Sequence, residues 1–225
     1  MVSFVPLNMA REQRVCVRPD DQHWQDAPQA PVRRWPLERE APESGQVTSL
    51  VEYLPGARFP EHLHPNGEEI LVLSGVFSDA GGDYPAGSYL RSPAGSRHAP
   101  YSEAGCLLFV KLNQFAAGDL QTVRLLPNQR CWQVISAGRR QCLLHAHAQE
   151  QTLLVECEAG APLGLPQQAS GELLVLRGSV TEQDASGGVQ TLPQHSWLRD
   201  RTLGQQTLYA SEPSQVLLKL GALRF

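Results

Sequence analysis

Gly56-Ala57-Arg58-Phe59-Pro60-Glu61-His62-Leu63-His64-Pro65-Asn66-Gly67-Glu68-Glu69-Ile70-Leu71-Val72-Leu73-Ser74-Gly75 is the stretch that decides the fold. His62 and His64 are two residues apart, so on a strand both project from one face. On a straight strand Glu68 would lie about 13 Å beyond His64, at roughly 3.3 Å per residue. Ligands that each sit about 2 Å from one metal cannot be so far apart. The chain must therefore reverse, and Pro65-Asn66-Gly67 has the turn chemistry to do it. A return strand over residues 68–74 follows. Glu68 and Glu69 point to opposite faces of it, so only one can join the histidines.

The second part of the pattern is Gly87, Pro93, Gly95 and His98. Pro93-Ala94-Gly95-Ser96 reads as a turn, and His98 arrives on a later strand. Three neutral imidazoles and one carboxylate form a good ligand set for a divalent first-row metal.

The chain of 225 residues is 41% hydrophobic and has a net charge of −4, which suits a soluble globular protein of one large or two small domains. Seventeen prolines and nineteen glycines between short apolar runs predict an all-β protein. Mild acidity without a basic cluster argues against a nucleic-acid surface. No run approaches eighteen uninterrupted apolar residues, and no charged-then-apolar leader follows Met1, so a cytoplasmic protein without membrane association is expected. Cys16, Cys106, Cys131, Cys142 and Cys157 include no Cys-x-x-Cys pair and read as small apolar residues in strands.

The sequence repeats itself. Residues 67–75 match residues 170–178 at an offset of 103, and Thr48-Ser49-Leu50-Val51-Glu52 matches Thr152-Leu153-Leu154-Val155-Glu156 at 104. Ser88-Tyr89-Leu90-Arg91 matches Ser196-Trp197-Leu198-Arg199 at 108. Lys111 and Lys219, the only lysines, align at the same offset, as do Trp24 and Trp132. The extra residues fall in the turn around Asp184-Ala185-Ser186-Gly187-Gly188, where insertion costs little. A period this long is a tandem domain duplication rather than a solenoid, with the boundary near residues 114–119: domain one over 1–115, domain two over 116–225. Through these offsets His62, His64, Glu68 and His98 become Leu165, Gln167, Gly171 and Gln206, so the second domain has lost its site. Glu69 keeps a counterpart, Glu172, where no metal can bind. Glu69 is therefore read as structural and Glu68 as the ligand. His145-Ala146-His147 has neither a carboxylate nor a later histidine in register and reads as a decoy. Residues 70–73 and 173–176 are apolar on both faces and need cover on each.

The two spaced motifs at Gly56–His62–His64–Glu68–Gly75 and Gly87–Pro93–Gly95–His98 are those of the cupin superfamily, with Ser102 where that family often has Asn. The six-residue gap from Glu68 to Gly75 fits this pattern and selects Glu68. Residues 67–79, 82–89 and 91–100 closely resemble the cupin domain of the ChrR zinc-dependent anti-sigma factors. The resemblance covers residues 47–112 and implies tandem double-stranded β-helix (jelly-roll) barrels, with His62, His64, Glu68 and His98 as the metal ligands. It also implies a stress-related sensor or regulator. The helical sigma-binding domain with its His-x-x-x-Cys-x-x-Cys zinc motif has no counterpart, so direct anti-sigma activity is not expected. Similar small cupins include iron dioxygenases acting on diketones or hydroxylated aryl ketones. A third reading is a small-molecule binding protein. One divalent metal per chain is expected, zinc first, with iron or manganese as alternatives, together with a homodimer and a small-molecule ligand at the metal. Tyr53, Phe59, Phe77, Tyr89 and Cys106 are candidate pocket neighbours. No catalytic residue is assigned.

Overall fold

The computed structural model describes residues 4–21, 23–28, 30–42, 44–183 and 187–221. The predicted insertion at Asp184-Ala185-Ser186 lies outside them. Among the described residues there is no α-helix, only strands and three short 3-10 turns, so no helix is long and apolar enough to cross a membrane.

The chain forms two compact units, Met1–Met9 with His23–Gln129, and Ala10–Gln22 with Arg130–Phe225. The first unit thus runs past residue 115, and a short N-terminal segment belongs to the second. Strand pairing gives the reason. Val123–Leu125 pairs with Tyr89–Ser92 in the first unit, and Val15–Val17 pairs with Trp197–Asp200 in the second. Val15–Val17 thus completes a sheet other than that of the strand following it in sequence, and Val123–Leu125 completes the first sheet from beyond residue 115.

Their main sheets correspond strand for strand. The first runs Val123–Leu125, Tyr89–Ser92, Glu68–Asp79, Cys106–Leu112, Val47–Tyr53, Val32–Arg39, Gln25–Asp26. The second runs Val15–Val17, Trp197–Asp200, Gly171–Arg177, Ser214–Leu220, Glu150–Cys157, Arg139–His147, Trp132–Ser136. All these pairings are antiparallel, and β-branched and aromatic residues populate both faces. The result is a pair of jelly-roll barrels, as the sequence predicts.

The return strand is longer than expected, Glu68–Asp79, because it bends rather than stops. At Gly75 φ is +72°, and a Cβ there would lie 2.1 Å from the carbonyl oxygen of Gly105. Only glycine fits both conditions. Beyond the bend the strand pairs with Gly82–Pro85 and with Tyr101, turning the barrel corner.

The core of the first barrel contains Ile70, Val72, Phe77, Leu90, Leu108 and Val110. On the opposite face of the same strand Glu69 is buried, accepting hydrogen bonds from the Tyr89 hydroxyl at 2.9 Å and Arg91 Nη1 at 2.8 Å. Arg91 also reaches Asp119 at 2.6 Å and stacks 3.9 Å above the Phe115 ring. Glu69 is therefore tied into a structural network. In the second unit Glu172 occupies the same register, opposite Arg199 and Lys219, and accepts from Trp197 Nε1 at 3.2 Å.

Candidate metal centre

Three separate pieces of backbone deliver the cluster. His62–Leu63 pairs with Arg97–His98, with His62 directly opposite His98. His64 sits just past that strand, where its N–H donates to the Ser96 carbonyl and its own carbonyl accepts from the Gly95 N–H. The turn then forms at Pro65-Asn66, with Gly67 at φ +87°. A Cβ at Gly67 would meet the Phe115 ring at 2.6 Å, so a larger residue would push the turn off its support. Glu68 opens the next strand, paired with Ser92 on one side and Leu112 on the other.

One ligand atom each from His62, His64, Glu68 and His98 lies within 4.8 Å of the others, a group that could hold a metal ion. The ring centroids form a near-equilateral triangle: 5.0 Å for His62–His64, 4.8 Å for His62–His98 and 4.7 Å for His64–His98. Glu68 Oε2 lies 3.4 Å from His64 Nε2 and 3.3 Å from His98 Nε2. All four residues named by the sequence are brought together. His145 and His147 are not part of such a group; His145 is buried in the second unit opposite Thr152, where Glu38 faces Thr48 in the first.

The outer nitrogens are tied down. His62 Nδ1 donates to the Pro60 carbonyl at 3.0 Å, His64 Nδ1 contacts Ser96 Oγ at 3.0 Å, and His98 Nδ1 contacts Asp79 Oδ2 at 3.3 Å. These partners favour the tautomers that turn each Nε2 inward. His64 Nε2, Glu68 Oε2 and His98 Nε2 are buried and have no hydrogen-bond partner. Converging lone pairs with no donor among them are costly unless a cation fills the space. The donor set therefore fits a divalent metal.

Electrostatics agree. Burial drives the His64 pKa down to about 3, with smaller contributions from His98 and His62. Burial likewise lowers His62 and raises Glu68. Burial would raise Asp79 too, but its hydrogen bonds with His98 and the Gly81 amide outweigh that and hold it low. An ionised Asp79 behind His98 strengthens that imidazole as a donor to a metal.

A cavity of about 580 Å³ has His62, His64 and Glu68 in its wall. Tyr53, Phe59 and Phe77 also line it, whereas Tyr89 and Cys106 do not. Arg34 and Arg39 also line the cavity, and neither they nor Asp79 was singled out from the sequence. The run Phe77-Ser78-Asp79 lies inside the stretch that carries the family resemblance, but its facing depends on a bulge described below.

Fold and site together define a cupin barrel with a His/Glu group that could hold a metal ion, and comparison with known proteins bears on the fold. Residues 12–116 match the family model of the ChrR cupin-like domain. No curated protein matches the sequence. Among solved structures, a putative dioxygenase from Nostoc punctiforme is similar with a TM-score of 0.72 and 14% identity, over 93% of this chain and 82% of that one. A putative glyoxylate-induced protein from Pseudomonas aeruginosa gives 0.73 and 13%, over 95% and 90%. The bacterial pirin YhhW from Escherichia coli, solved in complex with nickel(II), gives 0.69 and 16%, over 92% and 98%. At these identities the likeness is one of fold.

Proposed function

We propose that the first unit is a metal-dependent dioxygenase acting on a small diketone or hydroxy-ketone, with His62, His64, Glu68 and His98 as the ligands. The observation that carries this reading is the cavity of about 580 Å³ that opens onto three of those four side chains. A purely structural metal needs no such space. Four protein ligands close a tetrahedral zinc shell, whereas six-coordinate iron or manganese keeps two positions open. The metal supplies Lewis acidity and a route to oxygen chemistry.

The chain's own residues shape the rest. Phe59 packs edge-on against His62 at 5.3 Å and Phe77 lies 5.9 Å from His98, so the imidazoles are backed by apolar rings. Val51, Leu108 and Val110 extend an apolar wall that excludes water and holds the hydrocarbon part of a ligand. Tyr53 is kept protonated, its pKa raised by burial and then by the Glu68 charge, so its hydroxyl remains a hydrogen-bond donor in the cavity wall.

Oxygen uptake by the iron-loaded protein over a panel of diketones and hydroxy-ketones tests the proposal. Substrate-dependent uptake that disappears in Glu68→Ala supports it. No uptake on the panel, with iron verified in the site, favours the second reading, a ligand-responsive regulator of ChrR type, for which the family match over residues 12–116 speaks.

A further inference from the structure

The strand Val32–Arg39 forms one wall of the cavity, and its charged residues are sorted by face. Arg33 points away and pairs with Glu52 on the neighbouring strand. Arg34 and Arg39 both line the cavity. Five residues apart, they would lie on opposite faces of a regular strand. A bulge between Pro36 and Glu38 inserts one extra residue and restores the facing, so Arg34 stands opposite Val51 and Arg39 opposite Val47. Glu68 is the only carboxylate lining the cavity among the described residues. Among the described lining residues two guanidinium groups thus face a single carboxylate, and that carboxylate would be engaged by a divalent metal.

The duplication supplies an independent observation. In the second unit the strand Arg139–His147 has the same partner, and Gln141 and Ala146 stand opposite Val155 and Gln151 where Arg34 and Arg39 stand in the first. Both arginines are absent from the unit that lacks the ligands. Arg139, the one arginine on that row, takes the place of Val32 and donates to the Leu163 carbonyl at 2.7 Å. The arginine pair and the metal ligands therefore travel together, as parts of one site.

We infer that the natural ligand of this cavity is an organic anion: an apolar body with a carboxylate read by Arg34 and Arg39 and a carbonyl or hydroxyl oxygen directed at the metal. This rests on the proposed function and narrows its substrate to diketones or hydroxy-ketones that also carry a carboxylate. Arg34 is the nearer reader, since its charge is felt at both His62 and Tyr53. A planar guanidinium can take a carboxylate with two parallel hydrogen bonds, which sets ligand orientation as well as affinity. Arg39 donates from Nε to the Ala41 carbonyl at 3.1 Å, which anchors it at the end of its strand.

The test is anaerobic calorimetric titration of the manganese-loaded full chain with 4-oxopentanoate, 4-oxo-4-phenylbutanoate and 4-acetylbenzoate, each against its methyl ester. The acids should bind at least tenfold more tightly than the esters. Arg34→Gln should weaken acid binding ~10- to 100-fold and leave the esters unchanged, and Arg34→Lys should restore part of the loss. Arg39→Gln should act in the same direction with a smaller effect. Metal content and melting temperature equal to wild type show that the variants are intact. Equal affinity for acid and ester, or an Arg34→Gln effect equal on both, overturns the inference and leaves the proposed function standing. Absence of binding by every acid and every ester also overturns the inference, while the proposed function stands or falls separately on oxygen uptake with the ketone panel.

Discussion

The two units share a buried polar row and differ in what fills their barrels. In register, Glu69, Arg91 and Lys111 of the first unit correspond to Glu172, Arg199 and Lys219 of the second, and all six are buried. Thr48 receives a hydrogen bond from Lys111 at 2.8 Å, and Thr152 from Lys219 at 3.3 Å. Even the cation over the tryptophan is repeated, Arg33 above Trp24 at 5.6 Å and Arg140 above Trp132 at 4.7 Å. Inside the barrels the strands keep corresponding apolar residues, such as Val72 and Val175, but the ends that carry the ligand positions differ. Where the first unit holds histidines and a carboxylate, the second has Ala169 and Leu203 in its core with Leu165 half-buried against them. Gly171 replaces Glu68, and a Cβ there would sit 2.1 Å from the Lys219 carbonyl. The 3-10 turn Leu203–Gln205 is held by the Gly204 N–H donating to the Ala169 carbonyl, so backbone closes over that end. Gln167 is exposed in a turn, and Gln206 ends the 3-10 turn. The lesson is that a buried ion-pair network holds its members together, because losing one strands the others. A ligand set loses its constraint once the metal is gone, and apolar residues can replace it.

The largest expected effect breaks the comparison outright. His62→Ala with His64→Ala should reduce metal content from one equivalent per chain to nearly none, because two of four ligands are lost. The pair His145→Ala and His147→Ala should leave it unchanged. Elemental analysis of protein purified without a chelating tag decides this, and a full equivalent in the first variant would place the site elsewhere.

Next comes the shared row. Glu69→Ala and Glu172→Ala should each destabilise the protein by about 3 kcal/mol, since the buried cations beside them lose a carboxylate from their network, while metal content of the folded protein stays the same. Denaturant titration measures the loss. If Glu69→Ala removed metal instead of stability, the distinction between Glu68 and Glu69 would collapse.

Asp79→Asn sharpens the comparison with less force. Asp79 touches His98 from outside the cluster, so the site should survive with metal affinity ~10- to 100-fold weaker. Competition with a chelator of known affinity reads the change directly, and an unaltered affinity would remove Asp79 from the site.

The smallest effect belongs to the second unit alone. Burial lowers the pKa of His195, which sits at φ +69°. Its depressed pKa adds stability that is complete above the unfolded value of about 6.5 and is lost as pH falls towards the folded pKa, because the unfolded chain binds the proton first. His195→Asn tolerates the left-handed backbone and should flatten stability slightly below about pH 6.5. Melting curves between pH 4 and 8 that were parallel for both proteins would show that His195 contributes nothing.

Much of the site was legible in sequence because its ligands lie on neighbouring strands joined by short turns. His62, His64 and Glu68 are linked by one turn whose residues announce it, and His98 follows a proline–glycine turn onto the strand opposite His62. Asp79 was not legible. It is eleven residues from Glu68, an odd spacing that puts it on the wrong face of a regular strand. The register shift opposite Leu107 and Leu108 adds one residue to that strand, and the bend at Gly75 redirects it. Arg34 and Arg39 were hidden for the same reason, by the bulge at Pro36 to Glu38.

The sequence by itself determined the all-β class, the duplication, the four ligand candidates and the structural role of Glu69. Each depends on spacing along the chain or on comparing the chain with itself, and both survive translation into a strand period of two. Only the tertiary structure decided which side chains border the cavity, which carboxylate backs His98, and which unit each edge strand completes. Those outcomes turn on bulges and on long-range strand pairing. One inserted residue reverses every facing beyond it, and a pairing between distant segments leaves little local trace in either strand.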